Sequence, residues 1–186
     1  NPQVNADLVA SGVDFIMDTY GNIITPWDTI TSEDIVIIPA FGTTLAIEQQ
    51  LRDKGISPVQ YNTTCPFVER VWNKASQIAK QQYSVVLHGK PSHEETKATF
   101  SHSSANTPTV IVYDMNETEL LARYIKNEIP TAQFYTDFAN RYSEGFDAAI
   151  HLQRIGVVNQ TTMLAKDTQD IADYLKQVMQ DHYQLT

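Results

Sequence analysis

Three short stretches carry side chains that can do chemistry. The first is Asn62-Thr63-Thr64-Cys65-Pro66-Phe67, which holds the one cysteine of the chain. It lies between a strand-like run, Pro58-Val59-Gln60-Tyr61, and a helix-like run, Phe67-Val68-Glu69-Arg70-Val71-Trp72. Pro66 suits the first helical turn, where its missing N–H would have no partner anyway. A helix start directs N–H groups and partial positive charge at the sulfur, which favours the thiolate. A thiolate there is a metal ligand or a nucleophile. The plainer reading is a small buried hydrophobe.

The second stretch is His88-Gly89-Lys90-Pro91-Ser92-His93-Glu94-Glu95. Gly89 lets backbone approach closely. His93 can carry a proton near neutral pH. Glu95 offers a carboxyl that becomes a proton donor if its pocket is dry. The competing reading is a capping box, Ser92-x-x-Glu95, in which Glu95 only ties down a backbone N–H. A divided arrangement also fits, with Ser92 capping and Glu95 turned inward. The third stretch, Asn159-Gln160-Thr161-Thr162, presents amides and hydroxyls on a turn. Such a turn holds a phosphate or a hydroxyl, or simply connects and caps. A zinc site is a further reading, with His88, His93 and His102 joined by Glu94 or Glu95, although no His-Glu-x-x-His spacing is present. His102, His151 and His182 have no other partner pattern. Phe41-Gly42 is core or site edge with equal warrant.

The elements that must position these groups alternate. A helix ends near Ala10, closed by Ser11-Gly12, with Asn1 as its cap. Val13–Ile16 is a short strand, residues 18–34 a polar loop, and Ile35–Ile38 a continuous apolar run of the kind buried on both sheet faces. A helix spans Leu45–Asp53, and Val59–Tyr61 is another strand. The helix from Pro66 to about Gln82 carries Phe67, Val68, Val71, Trp72, Ala75, Ile78 and Ala79 as an apolar stripe. Strands follow at Tyr83–Leu87, Thr109–Tyr113 and Gln153–Val158. Helices are expected at Glu94–Phe100, at Asn116–Asn127 with an Asn116-x-x-Glu119 capping box, and at Asp167–His182. Aromatic residues 130–147 read as an inserted helical hairpin. Alternation of this kind gives an α/β fold with parallel sheets flanked by helices. Ligands in such folds bind at the carboxyl ends of strands. Phe41–Thr44, Thr63–Cys65, His88–Glu95 and Asn159–Thr162 all fall there.

The 186 residues suit one domain or two small ones. A net charge of −9 with 13 Lys and Arg argues against a phosphate-tracking nucleic-acid surface. It leaves room for one anionic ligand held by local donors. A single cysteine allows no internal disulfide and fits a reducing compartment. No apolar run approaches a membrane span, and no targeting segment is evident. The opening Asn1-Pro2-Gln3-Val4 lacks an initiator Met, and the chain reads as a piece of a longer protein.

Taken in order, these pieces resemble the 4-hydroxy-3-methylbut-2-enyl diphosphate reductase family. The matching residues are Asn1-Pro2-x-Val4, Thr63-Thr64-Cys65-Pro66-Phe67-Val68 with Val71-Trp72-Asn73, and His88-Gly89-Lys90-x-x-His93-Glu94-Glu95-Thr96. Ser143-Glu144-Gly145-Phe146-Asp147 and Asn159-Gln160-Thr161-Thr162-Met163-Leu164 complete the set. The His-Gly-Lys form, the aromatic insert and Pro39-Ala40-Phe41-Gly42 are similar to the cyanobacterial and plant branch. The resemblance implies three α/β units around a central [4Fe-4S] cluster. Residues 1–64 would be the remainder of the first unit and 65–186 a nearly complete second, with the third absent. It implies Cys65 as a cluster ligand, His93 as a ligand of the substrate diphosphate, and Glu95 as proton donor or relay. Thr161 would contact the substrate hydroxyl and help pass the proton. The implied reaction is reductive removal of that hydroxyl, giving isopentenyl and dimethylallyl diphosphate. Ferredoxin or flavodoxin is the implied electron donor. The implied location is bacterial cytoplasm or plastid stroma, with neither nucleic acid nor membrane as partner.

The chain departs from that pattern in three places. The family's first and third cysteines lie beyond its two ends, as does a histidine before the Asn-Pro pair. A second diphosphate-binding histidine of the other branch is Phe41 here. One cluster ligand out of three implies no normal cluster and no catalysis by this chain alone. The zinc-dependent hydrolase and a non-catalytic α/β module that binds a diphosphate are the competing functions. Absent partner strands would also leave an exposed sheet edge in residues 1–64.

Overall fold

A computed structural model describes residues 2–18 and 20–184. The expected Asn1 cap lies outside the described residues. Helix α1 (Pro2–Ala10) ends as its Ser11-Gly12 sequence predicts. Gly12 is left-handed at φ +85°, and the Val13 N–H returns to the Leu8 carbonyl. Helix α2 spans Leu45–Asp53, with the bounds expected, and is capped by the Thr44 hydroxyl. Helix α3 (Pro66–Lys80) has Pro66 at its start and Cys65 as N-cap.

Three strands among the described residues form one parallel sheet in the order β2-β1-β3: β1 (Ser84–His88), β2 (Thr109–Val112) and β3 (Ile155–Asn159). Central β1 is buried along its whole length. Alternation sorts its side chains. Val86 joins Val110 and Val112 against helices α5 (Met115–Ile125) and α8 (Ala165–Tyr183). Val85 and Leu87 join Ile111 and Val158 against α3 and helix α4 (Glu94–Ser104). Gly156 admits α3 at close range, since a Cβ there would stand 2.9 Å from Ile78 Cδ1. The α/β architecture with helices on both faces of a parallel sheet is therefore present.

The aromatic segment forms two short helices, α6 (Thr131–Asp137) and α7 (Ala148–His151), which pack together. Between them, residues 141–143 pair antiparallel with the outer edge of β2, through Ile111 N–H to the Arg141 carbonyl and Ser143 N–H to the Thr109 carbonyl. That strip covers what would otherwise be an open edge. Phe134 is wholly buried and touches the rings of Tyr124, Tyr135, Phe138, Tyr142 and Phe146. Phe134→Ala is expected to cost about 3–5 kcal/mol, a large share of the roughly 5–15 kcal/mol that holds a domain together. Urea unfolding at an unchanged slope would measure it; a loss below about 1 kcal/mol would show that the cluster collapses around the gap.

Two expectations about capping and three about strands need correction. The cap of α5 is Asp114, not an Asn116–Glu119 box: Glu117 N–H donates to Asp114 Oδ1, and Glu117 Oε2 takes the N–H of Tyr113, the residue before the cap. The Ser92 cap is replaced too, since His93 is the N-cap of α4. Val13–Ile16, Ile35–Ile38 and Val59–Tyr61 are not strands. Ile38 makes one parallel bridge to Asn62, and nothing among the described residues extends it into a sheet. Val36 and Ile38 face a small core with Ile30, Leu51 and Ile56, while Ile35 and Ile37 are 67% and 57% exposed. Val59 and Tyr61 are exposed beside them. A run buried on both faces needs a layer on each side, and among the described residues only one covers it.

Candidate functional site

Cys65 caps α3 in an extended conformation, φ −63°, and its side chain makes no cap hydrogen bond. Its carbonyl accepts the Val68 and Glu69 N–H groups, and its own N–H donates to the Ala40 carbonyl at 2.8 Å. The sulfur is half-buried. It lines a cleft of about 410 Å³ together with Phe67, Val71, Asn159 and Thr161. Phe67, expected within the apolar stripe of α3, is 64% exposed at this cleft. Arg70 sits over its ring.

The parallel register His88↔Asn159 sets the loops after β1 and β3 side by side. The Gln160 N–H extends that ladder to the His88 carbonyl at 2.8 Å. Glu95 and Thr161, 66 residues apart, meet there. Glu95 is 3% exposed. The Thr161 hydroxyl donates to its Oε2 at 2.9 Å, and the Thr161 N–H donates to its Oε1. Thr161 thus stands between a buried carboxyl and the cleft that holds the thiol.

The expected Ser92 capping box is absent. His93 is the N-cap of α4, and its Nδ1 accepts the Glu95 N–H at 3.1 Å. Imidazole does the hydroxyl's work, which frees the Glu95 carboxylate to turn inward. With Nδ1 accepting, the hydrogen on Nε2 is left as a donor available to an anion.

The zinc reading is not assembled. Among the described residues no group of three or more His, Cys, Asp or Glu side chains is placed to hold a metal ion. Strand parity puts His88 on the face of Val86, where its Nδ1 meets Thr168 Oγ1 at 2.8 Å. His88 lines a separate cavity of about 470 Å³ with Asp114, Asp167 and Asp170. His102 stacks on Trp72 at 3.7 Å between centroids, and its Nε2 donates to the Thr43 carbonyl at 3.1 Å. Phe41–Thr44 therefore serves as a joint to α3 and α4 rather than as cleft lining. Gly42, at φ +76°, lies so near Trp72 that a Cβ would stand 2.6 Å from its ring.

Burial holds His88 and His102 below the ordinary imidazole value of 6.5. Tyr113, Asp167 and Asp114 oppose it at the first, and Glu48 and Thr43 at the second. The unfolded chain therefore binds these protons more readily than the folded one. Stability is complete above about pH 6.5 and falls as the pH drops through that value toward the lower folded-state constants. The urea midpoint is expected to fall between about pH 8 and about pH 5, and His102→Phe to remove its part of the slope. A midpoint flat over that range would show that neither ring is held neutral by the fold.

Asn159, Phe67 and Val71 complete the cleft that Cys65 and Thr161 line. Gln160, expected as one member of a polar turn, is instead buried. The family model described as LytB protein matches residues 1–185. The chain belongs to this family. Among LytB relatives, the 4-hydroxy-3-methylbut-2-enyl diphosphate reductase of Prochlorococcus marinus (strain MIT 9515) is 37% identical over 179 residues, covering 96% of this chain and 43% of the relative. That of Gloeothece citriformis (strain PCC 7424) is 37% identical over 183 residues, covering 98% and 44%. That of Synechococcus sp. (strain RCC307) is 39% identical over 183 residues, covering 98% and 43%. The chain thus spans less than half the length of these curated LytB relatives.

A solved structure of (E)-4-hydroxy-3-methyl-but-2-enyl diphosphate reductase shares the fold at a TM-score of 0.63 and 22% identity, over 95% of this chain and 50% of that one. The reductase from Plasmodium falciparum aligns at 0.55 and 20%, over 88% and 41%. Among the described residues, no helix of this LytB chain is long and apolar enough to cross a membrane.

Proposed function

We propose that this chain is the proton-relay portion, and one cluster-ligand portion, of a 4-hydroxy-3-methylbut-2-enyl diphosphate reductase. The observation that carries the reading is the pairing of buried Glu95 with Thr161, on the wall of a cleft that also holds Cys65. The relatives bear that enzyme's name. In the three-unit arrangement, residues 1–64 fall in the first unit and 65–186 in the second. Their separate cores, one around Leu51 and two around the sheet, support that division.

The chemistry of the donor set fits one corner of a [4Fe-4S] cluster. Cys65 is a half-buried thiol at a helix start, with its carbonyl and N–H already committed elsewhere. The single cysteine of the chain supplies one such ligand, so the remaining ligands come from outside it. When bound, the cluster supplies single electrons and a Lewis-acidic iron.

The net reaction breaks the allylic C–O bond, takes up two electrons and two protons, and releases water with isopentenyl or dimethylallyl diphosphate. A proton taken up by Glu95 at Oε2 reverses the hydrogen bond that Thr161 Oγ1 donates to that oxygen. Thr161 passes a proton to the leaving hydroxyl through Oγ1 and takes the Glu95 proton in exchange. His93 Nε2–H hydrogen-bonds the diphosphate, and adjacent helix-start N–H groups favour its charge. Phe67 and Val71 contact the hydrocarbon and keep water off it. Ferredoxin or flavodoxin delivers the electrons, in bacterial cytoplasm or plastid stroma.

The test is anaerobic turnover of the allylic diphosphate by protein expressed from the complete reading frame, with reductant supplied and both products measured. Formation of the two diphosphates is the expected result. Binding of the diphosphate without any turnover would replace this reading with a non-catalytic diphosphate-binding module.

A further inference from the structure

We infer that Gln160 is the positioning residue that holds Thr161 and Glu95 in register, an inference that rests on the proton-relay reading above. Glu95 belongs to α4 and Thr161 to the turn after β3, and no covalent neighbour ties these elements together. Gln160 does so from both sides of the pair. It precedes Thr161 in the chain and is 3% exposed. Its Oε1 accepts from Thr96 Oγ1 at 2.9 Å, and Thr96 directly follows Glu95. The same oxygen accepts the Lys90 N–H at 3.0 Å. Its Nε2 donates to Thr162 Oγ1, directly after Thr161, at 2.6 Å. Its backbone N–H donates to His88 O at 2.8 Å.

The amide therefore satisfies two donors from the His88–Glu95 side and one acceptor on its own turn. A primary amide is suited to this, because one end accepts twice while the other donates. The fit is close. A Cβ at Gly89 would stand 2.7 Å from Thr96 Oγ1 and 3.1 Å from Gln160 Cβ, so the loop can be no bulkier there. Thr96 is wholly buried, and leaving either partner of such a bond unsatisfied is costly. Any rotation of the Gln160 amide would swing Thr161 away from the Glu95 carboxylate, although Gln160 itself does not line the cleft.

The test reads the pair directly in the 186-residue chain. The Thr161 amide proton, which faces Glu95 Oε1, is followed by nitrogen-edited NMR in the parent, Gln160→Met, Thr96→Val and Thr96→Ser proteins. The expected result is an upfield move of the Thr161 signal and roughly fivefold to tenfold faster exchange in Gln160→Met and Thr96→Val. Thr96→Ser, which keeps the hydroxyl, should restore both. If Gln160→Met does not fold, Thr96→Val carries the same reading with one bond removed. An unmoved Thr161 signal in a folded variant overturns the positioning role. In protein from the complete reading frame, Thr96→Val should lower kcat about tenfold with KM within about twofold. A displaced Thr161 signal with unchanged kcat would uphold the positioning and defeat the relay reading.

Discussion

Glu95→Gln, made in the protein from the complete reading frame, is expected to lower kcat by about 10²–10⁴-fold, the usual worth of a positioned proton donor. The substitution is nearly isosteric. The amide oxygen can still take the Thr161 N–H that Glu95 Oε1 takes now. The NH₂ group then faces the Thr161 hydroxyl in place of Oε2. It can donate a hydrogen bond but cannot release or regain a proton at working pH. The Thr161 hydroxyl must reverse to accept, and a proton it then gave to the leaving hydroxyl could not be replaced from the amide. KM should stay within a fewfold of its parent value, because the His93 Nε2–H donor is not touched. Single-turnover product formation with prebound substrate isolates the step. Near-normal turnover would reduce Glu95 to a structural acceptor for the Thr161 turn.

Cys65→Ser should have a comparably large effect on a different quantity. After anaerobic reconstitution of the complete protein, bound iron and visible cluster absorption are expected to fall at least tenfold, more than the loss from disturbing an outer-shell partner. A hydroxyl does not ionise near neutral pH and is a poor match for cluster iron. The fold should survive, for a reason visible at the helix start. The Cys65 side chain makes no cap hydrogen bond now, and serine is among the best N-cap residues. The melting temperature of the apo 186-residue chain is therefore expected to hold or rise slightly. A variant that keeps its cluster would remove Cys65 from the ligand set.

The contrast between residues 66–184 and the earlier part of the chain shows what a sequence exposes. The sheet strands are runs of Val and Ile between turn signals, and α2 matched its expected bounds because Thr44 and Gly55 punctuate it from outside. Ile35–Ile38 has equally good strand chemistry. A strand is a pairing, however, and its partners are not written into the run itself. The same limit hid Phe67: a 3.6-residue stripe marks one helix face without saying whether protein or open cleft lies opposite.

At the site, the thiol, the carboxyl and the hydroxyl were legible by type and by position at strand ends. The identity of the cap was not. Rules that rank serine above histidine miss a ring nitrogen placed by its own backbone; the inward turn of Glu95 was among the readings, but with Ser92 as the cap. Gln160 was legible only as one polar member of a turn, because a bridging amide is recognised by the partners it joins and those lie 64 and 70 residues away.

The stack of Trp72 on His102 makes the chain optically self-reporting. An excited indole loses its energy readily to a protonated imidazole lying against it. The rings here are 11° from parallel, and the loop carrying Thr43 holds the histidine from the other side. Emission from Trp72 should therefore dim as His102 takes up a proton. It should dim as well when that loop leaves α3 and α4, because the burial that holds His102 below the ordinary imidazole value is then lost. Trp27, the other tryptophan, packs in the core around Leu51 and supplies a steady background. Docking of the two parts of the chain can thus be watched by fluorescence without attaching a label.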